Sequence, residues 1–216
     1  MIGDAEVQMQ EVVVASGNPH KVDEVRSVLG ALGWRVLSLK DVGADHAPEP
    51  DESGTTFAQN ARIKALDYAS VVGRLVLADD SGLVVDALGG EPGVHSARWA
   101  GVDGDRATRD AANNAKLLSR LSGVADALRT ARFVCSMCVA AKDGRVIAQS
   151  EGVLHGWIGH EARGVHGFGY DPLFRVRSSG VSGAELTPQQ KNALSHRGSA
   201  TRAIAHSLAR LALAAR

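Results

Sequence analysis

The stretch EVVVASGNPHKVDEVRSVLGALGWRVLSL, residues 11–39, leaves the chain few folds to adopt. Its β-branched opening, Glu11 to Ala15, reads as a buried strand halted by Ser16-Gly17-Asn18. Asn18 can cap a helix and Pro19 suits its first position. Val22, Val25, Val28/Leu29 and Leu32 then recur at helical spacing until Gly33 closes the run. Arg35 to Leu39 reads as a second strand. A strand, a helix and a strand in immediate succession argue for an α/β fold.

The remaining segments extend that pattern. Asp41 to Gly54 is a polar loop with Pro48 and Pro50, carrying Glu49, Asp51 and Glu52. A second helix opens on Thr56-Phe57-Ala58-Gln59, a capping-box spacing, and places small apolar residues at Ala58, Ala61, Ala65, Tyr68/Ala69 and Val72. Then comes LVLADDSGLVVDALGG, residues 75–90, an apolar strand that runs into two adjacent carboxylates, Asp79 and Asp80, and resumes apolar. A turn-rich stretch, GGEPGVHSARWAG, precedes a helix predicted over about residues 106–121. Phe133 to Ala140 and Arg145 to Ser150 flank Asp143-Gly144, a hairpin signal. GHEARGVHGFGYDP, residues 159–172, is a Gly-rich loop of a length that tends to be functional. Two helices close the chain. The first is announced by Thr187-Pro188-Gln189-Gln190, the second by an apolar stripe of Ile204, Leu208 and Leu211. With no internal repeat or interdomain linker, the expected organisation is a single domain over residues 11–216. It follows an N-terminal extension, residues 1–10, whose order the sequence leaves open.

Charge and composition narrow the function classes. The 24 Lys and Arg match the 24 Asp and Glu, and no basic block occurs, so a nucleic acid polymer is not expected as partner. The opening residues are acidic where a signal peptide needs a basic region. The most apolar tail segment, AIAHSLARLALAA, is interrupted by His206 and Arg210 and falls short of the ~20 residues a membrane span needs. The expectation is a cytoplasmic protein with no membrane partner. The two cysteines, Cys135 and Cys138, lie three apart in a strand-like segment, on opposite faces, so they are expected to pack in the core rather than bond to each other.

Three segments carry chemistry. In SGNPHK, residues 16–21, a strand-to-helix junction offers an anion site, with Lys21 in the first helical turn. Asp79 and Asp80 repel each other unless a cation relieves them. A divalent hard cation would do so, with the acidic loop of Glu49, Asp51 and Glu52 offering a further ligand; the alternative is a solvated Asp-Asp-Ser-Gly turn. GFGYDP brings an aromatic suited to stacking on a base, and KNALSHR adds Lys191, His196 and Arg197 as cationic or donor groups at a helix end, unless all of these pack or solvate locally.

Taken together, SGNPHK, ADDSGLVVDALGGEPGVHSARWAG, FGYDPLF and ELTPQQKNALSHRGSA, in this order, resemble the non-canonical purine nucleoside triphosphate pyrophosphatases, the inosine/xanthosine triphosphate pyrophosphatase family. The resemblance spans about Val12 to Leu211. It implies an α/β fold with a long mixed β-sheet flanked by helices, in an elongated two-lobed single domain with a central cleft. It also implies a homodimer and hydrolysis of inosine, deoxyinosine or xanthosine triphosphate to the monophosphate and pyrophosphate. Carried over by position, Ser16, Gly17, Asn18, Pro19, His20 and Lys21 would bind the triphosphate. Asp80 would be the catalytic base and a Mg²⁺ ligand, and Asp51, with Glu52 as its neighbouring alternative, the second ligand. Ser81 would touch substrate, while Phe168, Gly169, Tyr170, Asp171, Lys191, His196 and Arg197 would hold the nucleotide. Backbone N–H groups of the FGYD loop, with Arg197 and His196, would favour a 6-keto purine over adenine. His95 stands where the family often has Tyr and Ser16 where Thr is frequent. A Maf-like pyrophosphatase for modified or pyrimidine nucleotides and a non-catalytic nucleotide sensor are the competing readings.

Overall fold

A computed structural model describes residues 10–214, with side chains in the last helix as far as residue 209. The extension before the first strand and the Leu211 position of the terminal stripe lie outside the described residues.

Six strands form one mixed sheet in the order β2-β1-β3-β4-β5-β6. The β1 strand (Glu11–Val14) runs parallel to β2 (Arg35–Ser38) and to β3 (Val76–Val85). The connection between β1 and β2 is α1 (Pro19–Leu29), capped as its sequence predicts, with Asn18 Oδ1 accepting the His20 N–H at 3.2 Å. Gly33 ends the connection at φ +84°, a left-handed conformation that suits glycine. Helix α2 (Phe57–Val72), capped by Thr56, leads into β3. Antiparallel pairing then links β3 to β4 (Thr130–Ala140), β4 to β5 (Val146–Ile158) and β5 to the short β6 (Phe174–Val176). Helix α3 (Arg106–Arg120) lies between β3 and β4. Helices α4 (Pro188–Leu194), with a complete capping box on Thr187, and α5 (His196–Ala214) finish the chain. The α/β expectation of a mixed sheet flanked by helices holds.

Three apolar clusters hold these layers together. On one face Val12, Val14, Leu77, Cys135 and Met137 meet Val22 and Val25 of α1 and Ile204 and Leu208 of α5. On the other face Val13, Val76, Ala78 and Cys138 meet the small stripe Ala61, Ala65 and Ala69 of α2, whose size lets the helix lie close. The two cysteines therefore point to opposite faces, both free and buried, as the strand period requires. At the far end of the long strands Leu83, Phe133 and Ile158 pack with Leu117 of α3 and with Tyr170 and Leu173 of the Gly-rich loop.

Two strand expectations need correction. The ADDSG segment is neither a turn nor a strand end, because β3 runs unbroken through it. The hairpin arms are also longer than predicted, with β5 continuing to Ile158. Its buried positions there include Gly152 and Gly156, where the backbones of α5 and of β6 pass too close for any Cβ, so the apolar alternation of a strand is interrupted.

Candidate active site

The site originates in a mismatch of strand lengths. All ten residues of β3 pair with β4, but β1 ends early and reaches only Val76 and Leu77. Farther along, the same edge is taken up by Pro92, which bridges Val84. Between them, among the described residues, no strand pairs with the edge of β3 from Ala78 to Gly82. Asp79, Asp80 and Ser81 sit in this window, and a cleft of about 610 Å³ opens onto it.

The strand period separates the two carboxylates onto opposite faces, where each meets its own cations and Lys64 acts on both. Asp79 shares its face with Leu77 and Ser81. Its Oδ2 accepts from Lys21 Nζ at 2.9 Å and from Arg197 Nε and Nη2, each at 3.4 Å. Burial would raise its pKa, but Lys21, then Arg197 and Lys64, outweigh that and hold the carboxyl far below the usual carboxylate range. Arg197 also donates to Glu24 at 2.8 Å and to Ser81 Oγ at 2.9 Å. Four of its five N–H groups are thereby committed, leaving one for a ligand.

Asp80 faces α2 instead. Its Oδ2 accepts from Asn60 at 3.2 Å, and Lys64 Nζ lies 3.3 Å from its Oδ1 and 3.0 Å from Glu52 Oε1. Burial raises the pKa of Asp80, and Lys64 and Asn60 only partly offset this, so it is the more basic carboxylate of the pair. Lys64 is held protonated: burial works against its charge, and Asp80, Asp79 and Glu52 overcome it. Of the two candidates for a second acidic ligand, Asp51 is exposed and not part of the cleft wall, whereas Glu52 lines the cleft and reaches Asp80 through Lys64.

The first loop is self-contained. Asn18 donates its N–H to Ser16 Oγ at 3.2 Å and caps His20, while the Lys21 N–H bonds Asn18 O at 3.1 Å. Ser16, Gly17, Asn18, Pro19 and Lys21 line the cleft. His20 is exposed and stacks toward Phe168 at 6.3 Å.

Opposite lies the Gly-rich loop. Asp171 accepts the Phe168 N–H at 2.8 Å and Lys191 Nζ at 2.5 Å, and Asp110 of α3 accepts the Gly169 N–H at 2.8 Å. The Phe168 and Gly169 N–H groups are therefore spent on the fold and are not free to read a base. Tyr170 is buried, with its hydroxyl donating to Ser96 O at 2.9 Å, and serves as an anchor. Phe168, by contrast, presents its ring to the cleft with cations above it. His196 stacks on Phe133 at 5.0 Å, and its buried Nδ1 has no partner among the described residues. Burial, then Arg197 and Lys191, push its pKa well below 6.5, so it is neutral and offers one donor and one acceptor. His95 is exposed and does not line the cleft.

The sequence reading missed Asn60, Lys64, Arg106, Arg109 and Asp110. Asn60 and Lys64 stand four apart beside the small stripe of α2, as do Arg106 and Asp110 on α3, and that spacing was the available signal.

Comparison with known proteins gives a concordant result. The model of the Ham1 family matches residues 12–207. The dITP/XTP pyrophosphatase of Exiguobacterium sibiricum is 48% identical over 190 residues, covering 88% of this chain and 92% of that protein. The solved structure of a HAM1 protein from Coxiella burnetii superposes with a TM-score of 0.82 at 38% identity, covering 94% of this chain and 100% of the other. A structure from Mycobacterium abscessus, described as a nucleoside-triphosphatase and dITP/XTP pyrophosphatase, gives 0.71 at 44% identity, covering 90% and 98%.

Proposed function

Because the chain belongs to the Ham1 family, we propose that it hydrolyses inosine, deoxyinosine and xanthosine triphosphates to the monophosphate and pyrophosphate, cleansing the nucleotide pool. The observation that carries this reading is the β3 window. It holds a basic carboxylate, Asp80, behind Lys64, and Lys64 lines a cleft with other cations suited to a phosphate tail and an aromatic ring suited to a base.

In this reading Asp80 takes a proton from a water whose oxygen bonds to the α phosphorus. The bond from that phosphorus to the bridging oxygen breaks, and its electron pair leaves with pyrophosphate. Lys21, Lys64 and Arg109 face the growing charge, so catalysis rests on positioning and fixed electrostatics. The carboxylates fit a hard divalent cation, since Glu52 and Asp80 already flank one ammonium. Among the described residues no third His, Cys, Asp or Glu joins them. Magnesium, which keeps several waters and shares phosphate oxygens, suits so small a set. Bound there, it would neutralise charge on the triphosphate.

The purine would lie on Phe168, near the unpaired Nδ1 of His196, the remaining N–H of Arg197 and the ammonium of Lys191. The donors there, Arg197, Lys191 and His196 in the tautomer that protonates the nitrogen facing the base, match the O6 acceptor of a keto purine and oppose the amino group of adenine. Each buried donor left unpaired costs about 1–3 kcal/mol. A homodimer and a cytoplasmic location belong to the same proposal, supported by kinship, and sedimentation equilibrium tests the first. Among the described residues no helix is long and apolar enough to cross a membrane.

A panel of triphosphates with Mg²⁺ and separate detection of pyrophosphate and orthophosphate tests the reaction. Inosine triphosphate should release pyrophosphate far faster than ATP, and Asp80→Asn should bind nucleotide yet lose at least ~100-fold in kcat. Orthophosphate as product, or equal turnover of ATP, would refute it.

A further inference from the structure

Three cations stand over the ring of Phe168, and they differ in their freedom to move. Arg106 Cζ lies 4.2 Å from the ring centroid, Lys191 Nζ 4.7 Å and Arg197 Cζ 6.0 Å. Lys191 is locked to Asp171, and Arg197 is buried and bound to Asp79, Glu24 and Ser81. Arg106 opens the first turn of α3, its side chain is 42% exposed, and its carboxylate neighbour, Asp110, is 3.7 Å away. That carboxylate already accepts the Gly169 N–H.

The root of Arg106 is nevertheless fixed relative to the ring. Asp110 and Asn114, one and two turns along the same helix, grip the N–H and C=O of Gly169 at 2.8 and 2.9 Å. Helix α3 and the Phe168 loop therefore form one rigid bracket with a loose guanidinium at its tip. A planar group 4.2 Å above the ring fills the space that a stacked base would need.

We propose that Arg106 is a base-binding residue. It covers Phe168 in the free protein and, when a purine enters, folds over the outer face of the base, which then lies between guanidinium and phenyl ring. This rests on Phe168 being the base platform. Arginine suits the role because its guanidinium is planar, weakly hydrated and stacks on aromatic faces, which an ammonium does not. Stacking is indifferent to the groups on the purine edge, so Arg106 adds affinity for keto purines in general and leaves selection among them to other groups.

Calorimetric titration without metal tests this with two probes, inosine monophosphate and inorganic tripolyphosphate, on the wild type, Arg106→Ala, Arg106→Lys and Phe168→Ala. Arg106→Ala should weaken monophosphate binding about tenfold and leave tripolyphosphate binding unchanged, and Arg106→Lys should not restore the loss. Unchanged monophosphate binding in Arg106→Ala, an equal loss of tripolyphosphate binding, or full rescue by lysine overturns the proposal. Phe168→Ala separates the two readings. If it weakens the monophosphate while Arg106→Ala does not, only the role of Arg106 fails. If it too has no effect, the platform fails and the role of Arg106 falls with it.

Discussion

Asp79 and Asp80 are neighbours in sequence with opposite electrostatic fates. The carboxylate of Asp79 neutralises Lys21 and Arg197, so its ionised form stabilises the fold. That of Asp80 is ionised against burial, and its charge costs stability. Removing one partner of a buried charge set leaves the others uncompensated. Asp79→Asn should therefore cost about 3 kcal/mol in urea unfolding at pH 7, while Asp80→Asn costs much less. The pH dependence has a definite sign. Because the folded pKa of Asp79 is depressed, its contribution is complete above the unfolded value of about 3.9 and fades as the pH falls below it. The gap between wild type and Asp79→Asn should accordingly narrow in acid, and a gap that stays constant to pH 2 would contradict this account. In the sequence only the family resemblance set Asp80 apart from Asp79; the physical cause was not legible, because the cations that distinguish them, Lys64 and Arg197, come from α2 and α5, 16 and 118 positions away from Asp80 and Asp79.

At the scale of elements, β5 and α5 illustrate what the chain conceals and what it requires. The caps of α1, α2 and α4 were legible because a cap is local chemistry among three or four residues. The second half of β5 was not, since its buried positions are glycines chosen by a neighbour distant in sequence. A Cβ on Gly152 would press on the backbone oxygen of His196 and come 2.6 Å from the Ala200 nitrogen. Backbone cannot rotate aside as a side chain can. Gly152→Ala should displace the first turn of α5, costing about 1–3 kcal/mol in unfolding, and should raise KM as His196 and Arg197 shift. A variant with native stability and unchanged KM would show that α5 is free to slide. GFGYDP and SHR both lie on the cleft wall, and distant contacts fix what their groups are free to do. In the first of these the Phe168 and Gly169 N–H groups are consumed in holding the loop and α3 together.

Across the whole molecule, the cleft wall is drawn from distant parts of the chain. The loop after β1, the acidic loop and α2 contribute to one part, and α3, the Gly-rich loop and the junction of α4 with α5 to another. The α/β class was legible from the first strand, helix and strand, whereas the window in β3 was not, because it depends on how early β1 stops relative to a partner some sixty residues later. A nucleotide held at both tail and base would tie these parts together. With Asp80→Asn and inosine triphosphate at about 100 times Kd, global stability should rise by about 2.7 kcal/mol. Hydrogen exchange should slow both near Lys21 and near Phe168, and protection confined to one of them would rule out a bridging ligand. The window carries one more consequence. An unpaired strand edge is a template on which another chain can add a strand and begin to aggregate. Here the open edge is only five residues long, lies at the bottom of a cleft, and carries an inward charge on each face. The gap that leaves this edge of β3 open beside Asp79 and Asp80 is thus too short and too polar to recruit a foreign strand, so the edge can stay open for chemistry while closed to strand addition.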